Sequence, residues 1–511
     1  MGERNTLKPF GRKAVLCFCM LLFAVGCNTS AGPDAEGPAP AEPTPIVVGG
    51  QIAENGVLRA IVEAEDFARI EQIPDLKTLD VTGSDCYEAI LGYASSHPDV
   101  EVLYSVAIGG ETIPNVAAEA SVSRVPDASL LTFLPNLRAL TVTEPMTGEK
   151  ASALLDALPD AALDYAVDIG GKTVRCTDAS VDLSDVSPNR CESLAQCVRA
   201  LPNLSEVRLN REDGSTDWTL EQAKPLMDAQ PGLRVELNTE AFGVPFSLTD
   251  DVVVFSGIPL AEHTDELLAL LPYLYNVGRL DMEECGIPDE EMGRLREAYP
   301  SPKIVWRVHV GVYSCRTDVR MIHFADAISN PMLTDADVPP LIYCNEVKYL
   351  DLGHNLIQNP YFVAYMPDLE VCIVAIHEPT DISAFAHCPK LEYAELFNGS
   401  VSDVSALAAC TELKHLNLSM NEITDITPLY GLVKLERLWI SNNPIPEEQV
   451  ETFRKLVPDC VVNTTAEDPT LNEWRWDTNR PNWYAERYEL LRKQFQYDLR
   501  ITSYVEEPDF D

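Results

Sequence analysis

From Val347 to Asn463 the apolar residues keep a 22-residue period, with Val347, Leu369, Leu391, Leu413, Leu435 and Val457 opening six successive segments. Inside each segment two apolar positions alternate with polar neighbours, as in a short strand with one buried face. They are Leu350 and Leu352, Cys372 and Val374, Ala394 and Leu396, Leu416 and Leu418, Leu438 and Ile440, and Cys460 and Val462. A turn position follows, held by Asn355, His377, Gly399, Asn421, Asn443 and Thr465. Asn355, Asn421 and Asn443 are expected to form a ladder there, because a buried turn must pair the backbone groups it leaves open. A fixed period of this length predicts a solenoid, in which each unit buries its apolar face only against its neighbours.

A longer and looser repeat precedes this one. Ile73-Pro-Asp-Leu76-Lys-Thr-Leu79-Asp-Val81, Leu134-Pro-Asn-Leu137-Arg-Ala-Leu140-Thr-Val142 and Leu201-Pro-Asn-Leu204-Ser-Glu-Val207-Arg-Leu209 are one motif, continued at Val277 and Val347. Helix-like stretches such as Glu149–Leu158 lie between these anchors. Each is followed by an alternating run, Val102/Tyr104/Val106/Ile108, Leu163/Tyr165/Val167/Ile169 or Ile304/Trp306/Val308/Val310. Gly109-Gly110 and Gly170-Gly171 close the first two and read as turns. Each long unit is expected to hold two helix-bearing repeats joined through an extra strand pair. Alternation of strand and helix then favours an α/β solenoid running into the later repeats, with a separate α/β domain as the alternative.

The 22-residue segments have the form L-x-x-L-x-L-x-x-N, the signature of leucine-rich repeats. Asp425-Ile426-Thr427-Pro428-Leu429 resembles the short-period repeats of bacterial internalins, and Asp403–Leu407 and Asp381–Phe385 resemble them more loosely. The resemblance covers about a quarter of the chain. It implies an α/β leucine-rich-repeat solenoid with a parallel sheet on its concave side, here with irregular long N-terminal repeats and a C-terminal cap. It implies nothing about a ligand.

Arg4, Lys8, Arg12 and Lys13 precede the apolar run Ala14 to Val25, the layout of a secretory signal and too short to span a bilayer. Ala24-Val25-Gly26-Cys27 resembles the lipobox of bacterial lipoproteins, which implies cleavage before Cys27 and diacylglyceryl attachment to its thiol; an ordinary signal peptide is the alternative. The chain is therefore expected to be secreted and anchored to the outer face of a bacterial membrane. Residues 27–50 form a Pro- and Ala-rich tether. Long divergent repeats at 51–345, 22-residue repeats at 346–466 and an aromatic cap or tail at 467–511 complete the expected organisation after the signal, 1–26. The tail holds Trp474, Trp476 and Trp483, with an amphipathic helix expected behind Pro481 that lines up Tyr484, Tyr488, Leu491 and Phe495.

The formal charge of −42 would become about −45 without residues 1–26. Such a surface repels nucleic acid and anionic head groups and favours cationic proteins or peptides, although solubility alone also accounts for it. Membrane contact is expected only through the N-terminal lipid. Among the eleven cysteines beyond Cys17, Cys19 and Cys27, Cys372 and Cys460 take inward strand positions. Cys388 and Cys410 share one repeat position and read as small buried hydrophobes, close enough in the stack for a disulfide. Cys176, Cys191 and Cys197 lack the paired spacing of a zinc site. No calcium-loop spacing, H-E-x-x-H or G-x-S-x-G motif occurs, so no catalytic, metal or cofactor residues are assigned and an enzyme is not expected.

Strand parity supplies the functional candidates. With Leu416 and Leu418 inward, His415 and Asn417 face out onto the concave sheet. The same offset selects Tyr349, Asp351, Val371, Ile373, Tyr393, Glu395, Phe397, Arg437 and Trp439. An exposed patch of this composition marks a binding site for a protein or peptide. The competing expectation is a structural spacer whose own C-terminal segment covers the patch.

Overall fold

The computed structural model describes residues 45–325, 332–376, 379–480, 483–494 and 504–506, and falls into two compact units, Met1–Leu103 and Tyr104–Asp511. In the first, strands Val57–Arg59, Thr78–Asp80 and Glu101–Leu103 run parallel, with Leu58, Leu79 and Val102 in register. These three point into the core, and helix Tyr87–Ser96 covers them with Ile90 and Tyr93.

The second unit opens on the hairpin Ser105–Ile108/Glu111–Pro114 and then uses one plan three times. Three parallel strands are followed by an antiparallel hairpin. Ala139–Val142 lies between Glu119–Val122 and Ala162–Asp164, and the hairpin is Ala166–Ile169/Lys172–Arg175. Next come Ser180–Asp182, Glu206–Arg208 and Arg234–Glu236 with Asn238–Ala241/Val244–Ser247, then Val252–Val254, Arg279–Asp281 and Lys303–Val305 with Arg307–Val310/Tyr313–Arg316.

The long alternating runs are thus each split in two, which period-two alternation alone does not reveal. Strand Ala162–Asp164 joins the parallel sheet, Tyr165 turns the chain, and Ala166–Ile169 starts the hairpin. One backbone bond closes every hairpin at this point: Asn115 donates to Tyr104, Cys176 to Tyr165, Leu248 to Leu237 and Thr317 to Trp306. The Tyr104 and Tyr165 hydroxyls donate to the carbonyls of Phe133 and Ala200, both at 2.6 Å, tying each hairpin to the repeat behind it. At the first tip Gly109 and Gly110 both have positive φ, 63° and 103°, as a two-residue hairpin turn requires. A Cβ on Gly109 would also sit 2.0 Å from the Arg124 carbonyl oxygen.

From Met321 onward a single sheet takes over. Met321–His323, Tyr349–Asp351, Val371–Ile373, Tyr393–Glu395, His415–Asn417, Arg437–Trp439 and Val461–Asn463 are parallel and adjacent in chain order. Leu350, Cys372, Ala394, Leu416 and Leu438 stack in register, all without solvent exposure. Opposite them lie short 3-10 turns, Ser383–His387, Ser405–Ala409 and Thr427–Gly431 among them. Asp381, Asp403 and Asp425 start these turns by accepting from the N–H groups of Ser383, Ser405 and Thr427. Helix Glu447–Leu456 replaces the turn in the last repeat, burying Val450 and Phe453.

The asparagine ladder has the bonding its position demands. Asn355 accepts from Leu333 N at 2.7 Å and donates to the Phe324 and Leu352 carbonyls. Asn421 does the same with Val401, Leu396 and Leu418, and Asn443 accepts from Ile423 and donates to Leu418. His377 lies outside the described residues. Cys388 and Cys410 are free thiols, not a disulfide; each donates instead to a carbonyl of the preceding turn, Val363 at 3.4 Å and Phe385 at 3.2 Å. Cys176, Cys191 and Cys197 are free as well.

The covered face of the repeat sheet

Strand parity places the candidate residues correctly on one sheet face but not in solvent. Tyr393, Glu395 and Asn417 have no exposure, Trp439 and Phe397 have 1%, and Val371, Ile373, Asp351 and His415 are buried; Tyr349 and Arg437 are half-buried. The expected open patch is corrected on this point. Polar side chains at these positions need partners once water is excluded, and the C-terminal segment supplies them.

After Val461–Asn463 no further parallel repeat strand follows among the described residues. Asn463 accepts from the N–H groups of Thr465 and Ala466 and turns the chain back over the sheet. Asn417 donates to the Pro469 carbonyl at 2.8 Å, Trp439 Nε1 to that of Leu471 at 3.3 Å, and Arg437 to that of Glu473 at 2.5 Å. Trp474, fully buried, lies between Tyr393 and Trp439 with ring centroids 5.3 and 5.2 Å away. Its indole N–H donates to Glu395 Oε1 at 2.8 Å.

Glu395 is the electrostatic centre of the contact. Arg475 grips both of its oxygens, through Nε at 3.2 Å and through Nη2, and the Tyr393 hydroxyl donates to it as well. The carboxylate beside it holds the Arg475 guanidinium charged despite burial, which by itself works the other way. That guanidinium also lies over the Phe397 and Tyr488 rings, at 5.5 and 5.0 Å. Burial, and next the Glu395 charge, push the Tyr393 hydroxyl far above its ordinary range. His415 goes the opposite way, lowered to about 3 by burial and by the Arg437 cation, whose Nε donates to His415 Nδ1 at 3.1 Å.

Helix Glu486–Gln494 extends the cover. Tyr488 and Leu491 pack with Met321, Val371, Ile373 and Ala375 into one apolar cluster, with Tyr349 and Tyr484 at its edge. The Tyr349 hydroxyl donates to Glu370 at 3.1 Å, and Asp351 accepts from Gly353 N at 2.9 Å. Strand Tyr504–Glu506 pairs antiparallel with Met321–His323 at the edge of the sheet. Pro481 and Phe495 lie outside the described residues, as does Cys27. Sequence reasoning named Trp474 only as part of the aromatic tail and passed over Arg475 as a partner of Glu395. Their signal was a lone glutamate, Glu395, among aromatic concave positions, facing a tail that offers tryptophan beside arginine.

Residues 411–455 match the family model for leucine-rich repeats in two copies. A comparison with curated proteins gives no match. Among solved structures the chain is similar to an internalin of Listeria monocytogenes, 16% identical over 70% of this chain and 86% of that one, with a TM-score of 0.23. A second internalin of that organism is 18% identical over 40% and 70%, TM-score 0.23, and a leucine-rich-repeat protein of Leptospira interrogans is 16% identical over 77% and 91%, TM-score 0.23. The fold is an α/β leucine-rich-repeat solenoid, carried by the stacked parallel strands and by the family match. Among the described residues no helix is long and apolar enough to cross a membrane.

Proposed function

We propose that this chain is an extracytoplasmic interaction protein, anchored through a lipid on Cys27, that meets a protein or peptide partner on surfaces other than the covered sheet face. The carrying observation is the burial of Trp474 and of the Glu395–Arg475 ion pair inside that face. A segment docked only for occasional release would avoid an ion pair that must be desolvated again at each closure. The C-terminal segment therefore serves as a permanent part of the repeat domain. Net charge makes cationic partners the favoured class and argues against nucleic acid. A spacer without partners remains the second reading, supported by the same closed face.

Deleting residues 467–511 tests the proposal. The truncated chain should aggregate or bind a hydrophobic dye strongly, because Tyr393, Phe397 and Trp439 would enter solvent together. A truncated chain that stays monomeric and folded, and captures a partner the full chain does not, would make the segment a removable lid and sink this reading.

A further inference from the structure

Among the described residues one pair of cysteine sulfurs meets. Cys315 Sγ and Cys344 Sγ lie 3.8 Å apart, both as thiols and both without solvent exposure. The fold brings them together where the repeat plan changes. Cys315 is on Tyr313–Arg316, the second strand of the last long-repeat hairpin, and points into the core as Tyr313 does. Cys344 ends the 3-10 turn Pro339–Tyr343, and its N–H donates to the Leu341 carbonyl. It holds the repeat position of Met366, Cys388 and Cys410. At Cys388 and Cys410 the element behind is another 3-10 turn, and each thiol donates to one of its carbonyls. Behind Cys344 stands the hairpin instead. There the sulfur meets a second sulfur, with the Arg316 carbonyl farther off at 4.0 Å.

The backbone on both sides is held in place. Thr317 N donates to the Trp306 carbonyl and closes the hairpin, the Trp306 and Tyr343 rings lie 5.4 Å apart, and Arg296 Nη1 donates to the Tyr343 carbonyl at 3.0 Å. Two thiols fixed this way react with each other far more readily than with free thiols in solution. A disulfide sets its sulfurs about 2.0 Å apart, and turning both sulfurs about their Cα–Cβ bonds supplies the approach. The bond would join positions 29 residues apart in sequence.

We propose that Cys315 and Cys344 join in a disulfide when the chain folds under oxidising conditions, stapling the last long-repeat hairpin to the first 22-residue repeat. The first cysteine thiolate attacks the disulfide of a thiol oxidant, forming a mixed disulfide and expelling one oxidant thiolate. The second cysteine thiolate then attacks the first cysteine's sulfur and expels the other. The two protons lost by the cysteines end on the oxidant's two thiols, so one disulfide forms as another is reduced. This exchange belongs to folding rather than to the finished fold, because neither sulfur is exposed. In the fold, the bond to Cys315 and then burial hold the Cys344 thiol protonated. The same burial shields the finished disulfide from reductants. An extracytoplasmic location would supply the oxidant, but the pairing itself goes beyond the functional reading above.

To test it, the full chain is refolded from urea with glutathione disulfide, alkylated in urea without reductant and digested with trypsin. The peptides Val308–Arg316 and Met321–Lys348 each hold one cysteine. Mass spectrometry should find them as one linked species, two hydrogens lighter than their sum, which reduction separates. Recovery of both as separate alkylated peptides, or linkage shared evenly with other cysteines, would overturn the pairing. A preparation refolded in reductant should melt about 2–5 °C lower than the oxidised one, and in Cys344→Ala the two preparations should coincide. Equal midpoints for the two unmutated preparations would overturn the staple. The same digest of chain exported by cells separates this proposal from the reading above: a pair linked on refolding supports the pairing, and finding it free after export would count against the extracytoplasmic location alone.

Discussion

His415 has an ordinary pKa of 6.5 when unfolded, whereas burial and the Arg437 cation hold it near 3 in the fold. Between those values the unfolded chain binds a proton that the folded chain refuses. The stability tied to this group is complete above about pH 6.5 and drains away as the pH falls toward 3, by about 1.4 kcal/mol per unit. Urea unfolding at pH 7 and pH 5 should therefore show a loss of about 2 kcal/mol from this residue, and His415→Gln should remove that part of the slope. An unchanged slope would mean that the imidazole ionises in place. Another residue-scale feature escaped the sequence. His354, Ile376, Asn398, Met420 and Asn442 all have positive φ, between 56° and 65°, one in each repeat and each just before the ladder position. The turn demands this left-handed residue so that the next side chain can enter the stack. The two asparagines and His354 are types enriched in this conformation, whereas Met420 is not and β-branched Ile376 is the least suited. Local preference therefore hinted at it only in part, while the asparagine ladder one residue later was plain.

The short strands were legible because a two-residue period with one buried face leaves few alternatives. What parity could not supply was the environment of the other face. A patch of Tyr393, Phe397 and Trp439 has the same composition whether a partner or the chain's own tail covers it. Glu395 decides between them only through contacts with Trp474 and Arg475, 79 and 80 residues later in the chain. This pair makes a sharp element-scale test. Arg475→Ala would strand a carboxylate with no solvent exposure, a loss of about 3–5 kcal/mol in chemical denaturation. Glu395→Leu combined with Arg475→Met should recover most of that loss, because apolar side chains of similar size fill the space without desolvating charge. A cost below about 1 kcal/mol for Arg475→Ala would show that the segment is held by its aromatic contacts instead. The ion pairs across the repeats are of another kind. Lys348–Glu370 and Lys414–Glu392, both 2.8 Å and 22 residues apart in sequence, sit half-exposed along the stack and contribute little individually.

For the whole molecule, the N-terminal signals lead to a prediction independent of the fold. Two acyl chains on Cys27 would anchor the protein stably where one would not. Cys27→Ser should release it into the medium, as read by fractionating cells and culture supernatant, and continued retention in the membrane fraction would refute the lipid anchor. The repeat periods, the inward and outward strand positions and the asparagine ladder could all be read from the sequence alone, because each arises between residues at fixed spacing within one repeat or its neighbour. The division of each long alternating run into a sheet strand and a hairpin strand could not, since both halves carry the same period. Nor could the choice between an open sheet face and one covered by the C-terminal segment, which the sequence left as alternatives. A solenoid's internal contacts are local and repeat, so periodicity encodes them. The cover is one non-repeating contact between distant segments, chosen by shape, desolvation and a single ion pair, and only the tertiary structure brings those together.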